Sequence, residues 1–133
     1  MAVDDTSANT ARRSAGLIAV VDDDESVRKA VDGMLRSVGL TARTFASAEE
    51  FLRSGQQSQT ACLITDVQMP GMGGLELLRQ LSGDECRIPV IFISAFGTAR
   101  IREQARRAGA VLFLDKPFDD EFLLETVRGL VAA

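Results

Sequence analysis

Leu17-Ile18-Ala19-Val20-Val21-Asp22-Asp23-Asp24-Glu25 is an apolar run of five residues that breaks off into four consecutive acidic ones. The run is too short for a buried helix and does not alternate with polar residues, so it reads as a strand covered on both faces. The same device recurs along the chain. Ala61–Thr65 runs into Asp66, Pro89–Ile93 into Ser94, and Val111–Leu114 into Asp115 and Lys116. Leu40–Phe45 is a weaker strand pattern of the kind an edge position tolerates.

Helical patterns fill the gaps between these runs. Ser26–Val38 sets Val27, Ala30, Val31, Met34, Leu35 and Val38 on one stripe and meets Gly39. Ser47 with Glu50 three residues on has the spacing of a capping box, opening a short helix to about Ser54. Met69–Gly74 is turn-forming and leads into a helix carrying Leu75, Leu77, Leu78 and Leu81. Thr98–Ala108 turns Ile101, Ala105 and Ala108 inward and stops at Gly109, and Asp119–Val131 forms the last helix, with Phe122, Val127 and Leu130 inward. Five strand–helix repeats of this size predict an α/β fold, a doubly wound five-stranded parallel sheet with helices on both faces. Residues 1–15 are small and polar and predict a disordered lead; residues 16–133 predict one domain.

Composition narrows the function classes. The 133 residues carry a formal net charge of −4, unlike the basic surface of a general nucleic-acid binder. No histidine is present, which excludes Ser-His-Asp hydrolysis, a His-ligated zinc site and a phosphohistidine carrier. Two cysteines, Cys62 in a strand run and Cys86 in a polar connection, predict reduced thiols in the cytoplasm. No apolar stretch reaches the roughly 20 residues of a membrane span. Arg12-Arg13 before Leu17–Val21 suggests an export signal, but that apolar run is shorter than the about 7 to 15 residues such a signal needs.

In open parallel sheets the site lies outside the carboxyl ends of the strands. The residues there are Asp22 and Asp23, Asp66, Ser94 and Lys116, the last being one of only two lysines. Each alone has an ordinary explanation: a turn former, a helix cap, a strand-end hydroxyl, a solvated charge. Their shared edge is what argues for chemistry. Clustered carboxylates raise one another's pKa and cost stability unless a cation intervenes. Mg²⁺, or Mn²⁺, suits such a place, binding through one or two carboxylates, waters and phosphate oxygens. A carboxylate beside it can act as a nucleophile toward phosphorus, with Lys116 neutralising charge and Ser94 bonding the arriving oxygens.

The chain resembles response-regulator receivers of two-component systems, particularly the FixJ-type branch. The resemblance rests on Val20–Arg28, Thr65–Gly74 (T-D-V-Q-M-P-G-M-G-G), Ile88–Ala95 and Ala108 through Lys116-Pro117-Phe118, and it spans about residues 17 to 131. It implies a flavodoxin-like (CheY-like) sheet of order 2-1-3-4-5. It also implies phosphorylation of Asp66 by a sensor histidine kinase or histidine phosphotransfer protein. Asp22, Asp23 and Asp66 would hold the metal together with the backbone carbonyl of Gln68. Ser94 and Phe113 would form the switch, Lys116 would contact the phosphoryl group, and the Lys116-Pro117 bond would be cis. Ser94 stands where threonine is frequent, and Phe96 adds apolar bulk at the site mouth.

The family's output face is its fourth helix, fifth strand and fifth helix. Arg100, Arg102, Arg106 and Arg107 on the fourth helix are either a solvated basic face or a docking surface for a second copy. No helix-turn-helix follows the last helix, so these residues do not carry DNA binding. The chain reads equally as a stand-alone regulator or as the receiver portion of a longer DNA-binding transcriptional regulator. A more distant alternative is an aspartate-based phosphatase of the haloacid-dehalogenase kind, which needs a second Asp where this chain has Gln68.

Overall fold

Side-chain alternation sets the layering. The computed structural model of the chain describes residues 16–132, so the expected disorder of residues 1–15 lies outside the described residues. In β1 (Leu17–Val21), Ile18 and Val20 join one core cluster while Ala19 and Val21 join another. β3 (Thr60–Asp66) and β4 (Val90–Ser94) split in the same way: Cys62, Ile64, Ile91 and Ile93 go to the first cluster, and Leu63, Val90 and Phe92 to the second. All residues of these three strands are buried, which explains their unbroken apolar runs.

Helices α1 (Glu25–Ser37) and α5 (Asp120–Ala132) cover the Ile18 face; α2 (Ala48–Ser54), α3 (Gly74–Gly83) and α4 (Ala99–Ala108) cover the other. The edge strands are β2 (Ala42–Phe45) and β5 (Leu112–Asp115), and the sheet is wholly parallel in the order β2-β1-β3-β4-β5. The chain leaves β1 for one edge and returns to β3 on β1's other side. The crevice where the order reverses therefore opens between the carboxyl ends of β1 and β3.

Caps fix where the helices begin. Asp24 accepts the Ser26 N–H at 2.9 Å, Ser47 the Glu50 N–H at 3.1 Å, and Thr98 the Ile101 N–H at 3.2 Å. Gly55 and Gly109 end α2 and α4 in the left-handed conformation. Cys62 and Cys86 are both free thiols, and burial pushes the Cys62 thiol up to about 12. Among the described residues, no helix is long and apolar enough to cross a membrane.

Two inward assignments are corrected. Phe122 is 47% exposed, and the buried stripe of α5 is Leu123, Val127 and Val131, with Leu130 packed at its margin. The row Leu123, Val127, Val131 at i, i+4, i+8 faces the sheet, and Phe122, one residue and so about 100° around the helix, turns to solvent just after the Asp119 carboxylate accepts the N–H groups of Glu121 (3.0 Å) and Phe122 (3.3 Å). Ala30 is exposed on α1, which buries Val31 and Leu35 instead; a narrow stripe suffices where one helix meets one sheet face. β5 also begins at Leu112 rather than at the exposed Val111.

Truncating Leu123 to Ala is expected to cost about 2–5 kcal/mol in urea denaturation. Phe122→Ala should stay within about 0.5 kcal/mol of the parent. The reverse ranking would refute this placement of α5.

Candidate functional site

Register brings the polar groups together. Val21 lies beside Thr65, so one residue further along Asp22 stands next to Asp66 at the shared end of β1 and β3. Ser94 ends β4 and pairs with Asp115 in β5, which puts Lys116 directly beyond that rim. The Lys116 N–H donates to the Ser94 carbonyl at 2.8 Å, fixing the lysine's backbone to the neighbouring strand end. Lys116 then folds its ammonium back over the sheet edge. Its Nζ donates to Asp22 Oδ2 and to Asp66 Oδ2, each at 2.9 Å.

The second oxygen of each carboxylate is held by nearby backbone. Asp22 Oδ1 accepts the Asp24 N–H at 2.8 Å, and Asp66 Oδ1 accepts the Gln68 N–H at 2.9 Å. Asp22 is completely buried and Asp66 is 7% exposed, whereas Asp23 and Gln68 face solvent. Arg28 adds a clamp that residue spacing does not single out: its Nη1 donates to the Asp22 carbonyl at 2.7 Å. Turning the chain six residues back onto itself requires α1 to start where Asp24 caps it, which residue spacing alone does not reveal.

Burial raises the Asp66 pKa, and the adjacent Asp22 charge adds to this; the hydrogen bonds from Lys116 and Gln68 oppose it without cancelling it. For Lys116, burial works against the ammonium, but the bonds to Asp66 and Asp22 outweigh it and its pKa is raised. The cluster thus holds a charged lysine between two carboxylates, one of which is reluctant to ionise.

One oxygen each from Asp22, Asp23 and Asp66 lie within 4.8 Å of one another. Octahedral Mg²⁺ keeps its oxygen ligands between about 2.9 Å (adjacent) and about 4.2 Å (opposite) apart, so the carboxylates would draw closer together to share one cation. An all-oxygen donor set suits Mg²⁺ or Mn²⁺ rather than a thiolate- or imidazole-seeking metal.

The loop after β3 depends on its glycines. A Cβ on Gly74 would sit 2.3 Å from the Asp66 carbonyl oxygen and 3.0 Å from the Phe92 ring. Only glycine lets α3 begin so close beneath β3, where the Gly74 N–H donates to the Val67 carbonyl at 2.9 Å.

Ser94 is buried, and its Oγ accepts the Phe96 N–H at 3.1 Å. Phe113 lies half-buried with its ring edge-on to Phe92, centroids 6.4 Å apart, beneath the Arg102 guanidinium at 4.9 Å. A Cβ on Gly97 would stand 2.7 Å from that ring, so the loop after β4 passes directly against Phe113. The Lys116-Pro117 peptide bond is cis. The four arginines of α4 lie away from this cluster. Arg106 and Arg107 both donate to Glu103 of their own helix, Arg102 bonds Asp115, and Arg100 is exposed.

A raised carboxylate pKa means that the folded chain binds this proton more readily than the unfolded one. Stability is therefore lost as pH rises from the ordinary Asp value, about 3.9, through the folded value. Without divalent metal, Asp66→Asn is expected to unfold at higher urea than the parent at pH 7. That advantage should shrink near pH 4; a gain independent of pH would contradict the assignment.

Residues 18–128 match the model of the response regulator receiver domain family. The chain is 44% identical over 114 residues to the response regulator protein TodT of Pseudomonas putida, covering 86% of this chain and 50% of that one. It is 40% identical over 119 residues to nodulation protein W of Bradyrhizobium diazoefficiens, covering 90% and 52%. The crystal structure of FixJ-N is similar at 37% identity, with a TM-score of 0.79 over 87% of this chain and 93% of that one. The chain spans about half the length of the curated relatives it matches. With a 2-1-3-4-5 parallel sheet and an Asp–Asp–Lys cluster at its switch point, the chain belongs to the response regulator receiver domain family, the phospho-accepting switches of two-component systems.

Proposed function

We propose that Asp66 is the phosphoacceptor of this receiver and that a histidine kinase or histidine phosphotransfer protein is its donor. The observation that carries this reading is the shared ammonium: Lys116 Nζ is 2.9 Å from both Asp22 and Asp66 at the one point where the strand order reverses. The transfer forms a bond from an Asp66 carboxylate oxygen to phosphorus and breaks the phosphorus–nitrogen bond of the donor phosphohistidine; with the donor's other ring nitrogen protonated, its imidazole leaves neutral. The chain catalyses its own labelling and the later hydrolysis by positioning and charge neutralisation rather than by turning over an external substrate.

Asp22, Asp23 and Asp66 are the side chains that would hold Mg²⁺ or Mn²⁺, with the Gln68 carbonyl as a fourth oxygen. A cation bound there supplies positive charge against the phosphoryl oxygens. Asp23, exposed, is the ligand open to exchange with solvent; Asp22, buried against Lys116, sets the charge that the cation meets. Lys116 contributes a second positive charge to a phosphorylated Asp66. Haloacid-dehalogenase-type phosphatase chemistry gains no support, since Gln68 replaces the required second Asp and the family is that of receivers.

Switching follows from the Ser94 hydroxyl. Its Oγ now accepts the Phe96 N–H, leaving its proton free to donate to a phosphoryl oxygen on the next strand. Drawing Ser94 toward phosphate pulls the loop at Phe96 and Gly97, and Phe113 must repack because that loop rests on its ring. Phosphorylation thereby biases two packings of the face made by α4, β5 and α5. We assign output to this face, either as a homodimer contact or toward a further portion of a longer regulator. The setting is the cytoplasm, where kinase and donor act.

Acetyl phosphate with Mg²⁺ is expected to add one phosphate to the wild type by intact mass and none to Asp66→Asn. Labelling of Asp66→Asn would move the acceptor elsewhere. Mg²⁺ at about 100 times its dissociation constant should stabilise the wild type by about 2.7 kcal/mol, and Asp23→Asn should lose most of that gain. Reversing the charges of Arg106 and Arg107 is expected to weaken phosphorylation-dependent self-association in sedimentation. Unchanged association would remove these arginines from the output face.

A further inference from the structure

Glu49 lies in the first turn of α2, on an element that contributes nothing to the acidic cluster. Its Oε2 nevertheless accepts the Met72 N–H at 3.0 Å, across 23 residues of chain. Met72 belongs to the loop between Asp66 and α3. That loop is closed at its base by the Gly74 N–H on the Val67 carbonyl, at 2.9 Å, and by the Gln68 N–H on Asp66 Oδ1, at 2.9 Å. Met69 and Met72 pack against the core cluster beneath it. The Glu49 bond is a third anchor, made from a different element, α2.

The loop is shaped around this carboxylate. Gly71 has φ +75°, and a Cβ there would stand only 2.6 Å from Glu49 Oε2. The position is glycine for two independent reasons, its left-handed backbone and the oxygen seated against it. The Met72 N–H, followed by Glu49's own backbone amide, holds the Glu49 carboxyl below its ordinary pKa, so the acceptor is the ionised form. Charge-assisted bonds of this kind are the stronger ones.

We propose that Glu49 is a positioning residue for the acceptor site, pinning Met72 so that the short loop presents the Gln68 carbonyl and Asp66 in the geometry that binds a divalent cation and receives phosphate. This rests on the reading of Asp66 and Gln68 given above and adds a residue from outside the strand ends. A loop tied at its base and again at Met72 has few backbone conformations left, so the ordering cost is met on folding rather than on metal binding. Releasing the Glu49 tie returns that cost to the binding step.

The test uses the full chain and Mg²⁺ as the probe. Glu49→Ala is expected to weaken Mg²⁺ binding in calorimetry by about tenfold, in the range seen when outer-shell partners of metal ligands are removed. It should also slow labelling by acetyl phosphate and raise amide exchange at Met72 in the metal-free protein. Glu49→Gln keeps a carbonyl oxygen for the Met72 N–H and should recover most of the Mg²⁺ affinity. Gly71→Ala attacks the same contact from the loop side with Glu49 intact, and should weaken Mg²⁺ binding as Glu49→Ala does. Glu49→Ala and Gly71→Ala proteins that lose urea stability but bind Mg²⁺ as tightly as the wild type would overturn the proposal, leaving Glu49 a structural tie. A wild type that neither binds Mg²⁺ nor accepts phosphate would overturn the acceptor reading itself, and the role of Glu49 with it.

Discussion

A single ammonium group shared by two buried carboxylates holds the functional end of this receiver together. Asp22 and Asp66 sit side by side because β1 and β3 are neighbours in register, and without compensation their charges would repel in a poorly solvated crevice. Lys116 resolves the conflict by reaching from the far side of β4 to within 2.9 Å of both. A buried ion group of this kind is weak evidence for stability, since desolvation offsets much of the attraction. It is better understood as a charge arrangement kept for use: two negative groups, one reluctant to ionise, under a cation that can turn to a phosphoryl group.

The rest of the fold exists to hold that triad still. The doubly wound sheet buries β1, β3 and β4 on both faces, so the strand ends carrying Asp22, Asp66 and Ser94 cannot drift without opening the core. Close backbone approach at Gly74 lets α3 start directly beneath Asp66, and the loop between them is gripped from α2 through Glu49. On the other side of the site, Ser94 bonds the Phe96 N–H, Gly97 lies close against the ring of Phe113, and Arg102 stacks on that ring. Both groups of contacts meet at one rim.

Much of this was legible before any coordinates. Short apolar runs ending in Asp, Ser and Lys identified the strands and the edge at which their chemistry collects, because a strand buried on both faces leaves polar residues only at its ends. Asp22, Asp23, Asp66 and Lys116 do converge as that reading expects. What escaped has a common cause. Phe122 is large and apolar, which in sequence points inward, yet the helix row that meets the sheet is Leu123, Val127 and Val131. The bonds from Arg28 to the Asp22 carbonyl and from Met72 to Glu49 join side chains to backbone atoms, and backbone partners leave no mark in residue identity. The sequence left the arginines of α4 as either a solvated basic face or a docking surface; Arg106 and Arg107 pair with Glu103 within the same helix.

Crystals of the chain soaked in Mn²⁺ and measured at the manganese absorption edge would locate the cation directly. A single strong anomalous peak is expected among the Asp22, Asp23 and Asp66 carboxylates, with the Gln68 carbonyl turned toward it. Manganese bound only elsewhere on the surface, with Lys116 still bridging undisturbed carboxylates at saturating metal, would contradict a site built for metal-assisted phosphoryl transfer.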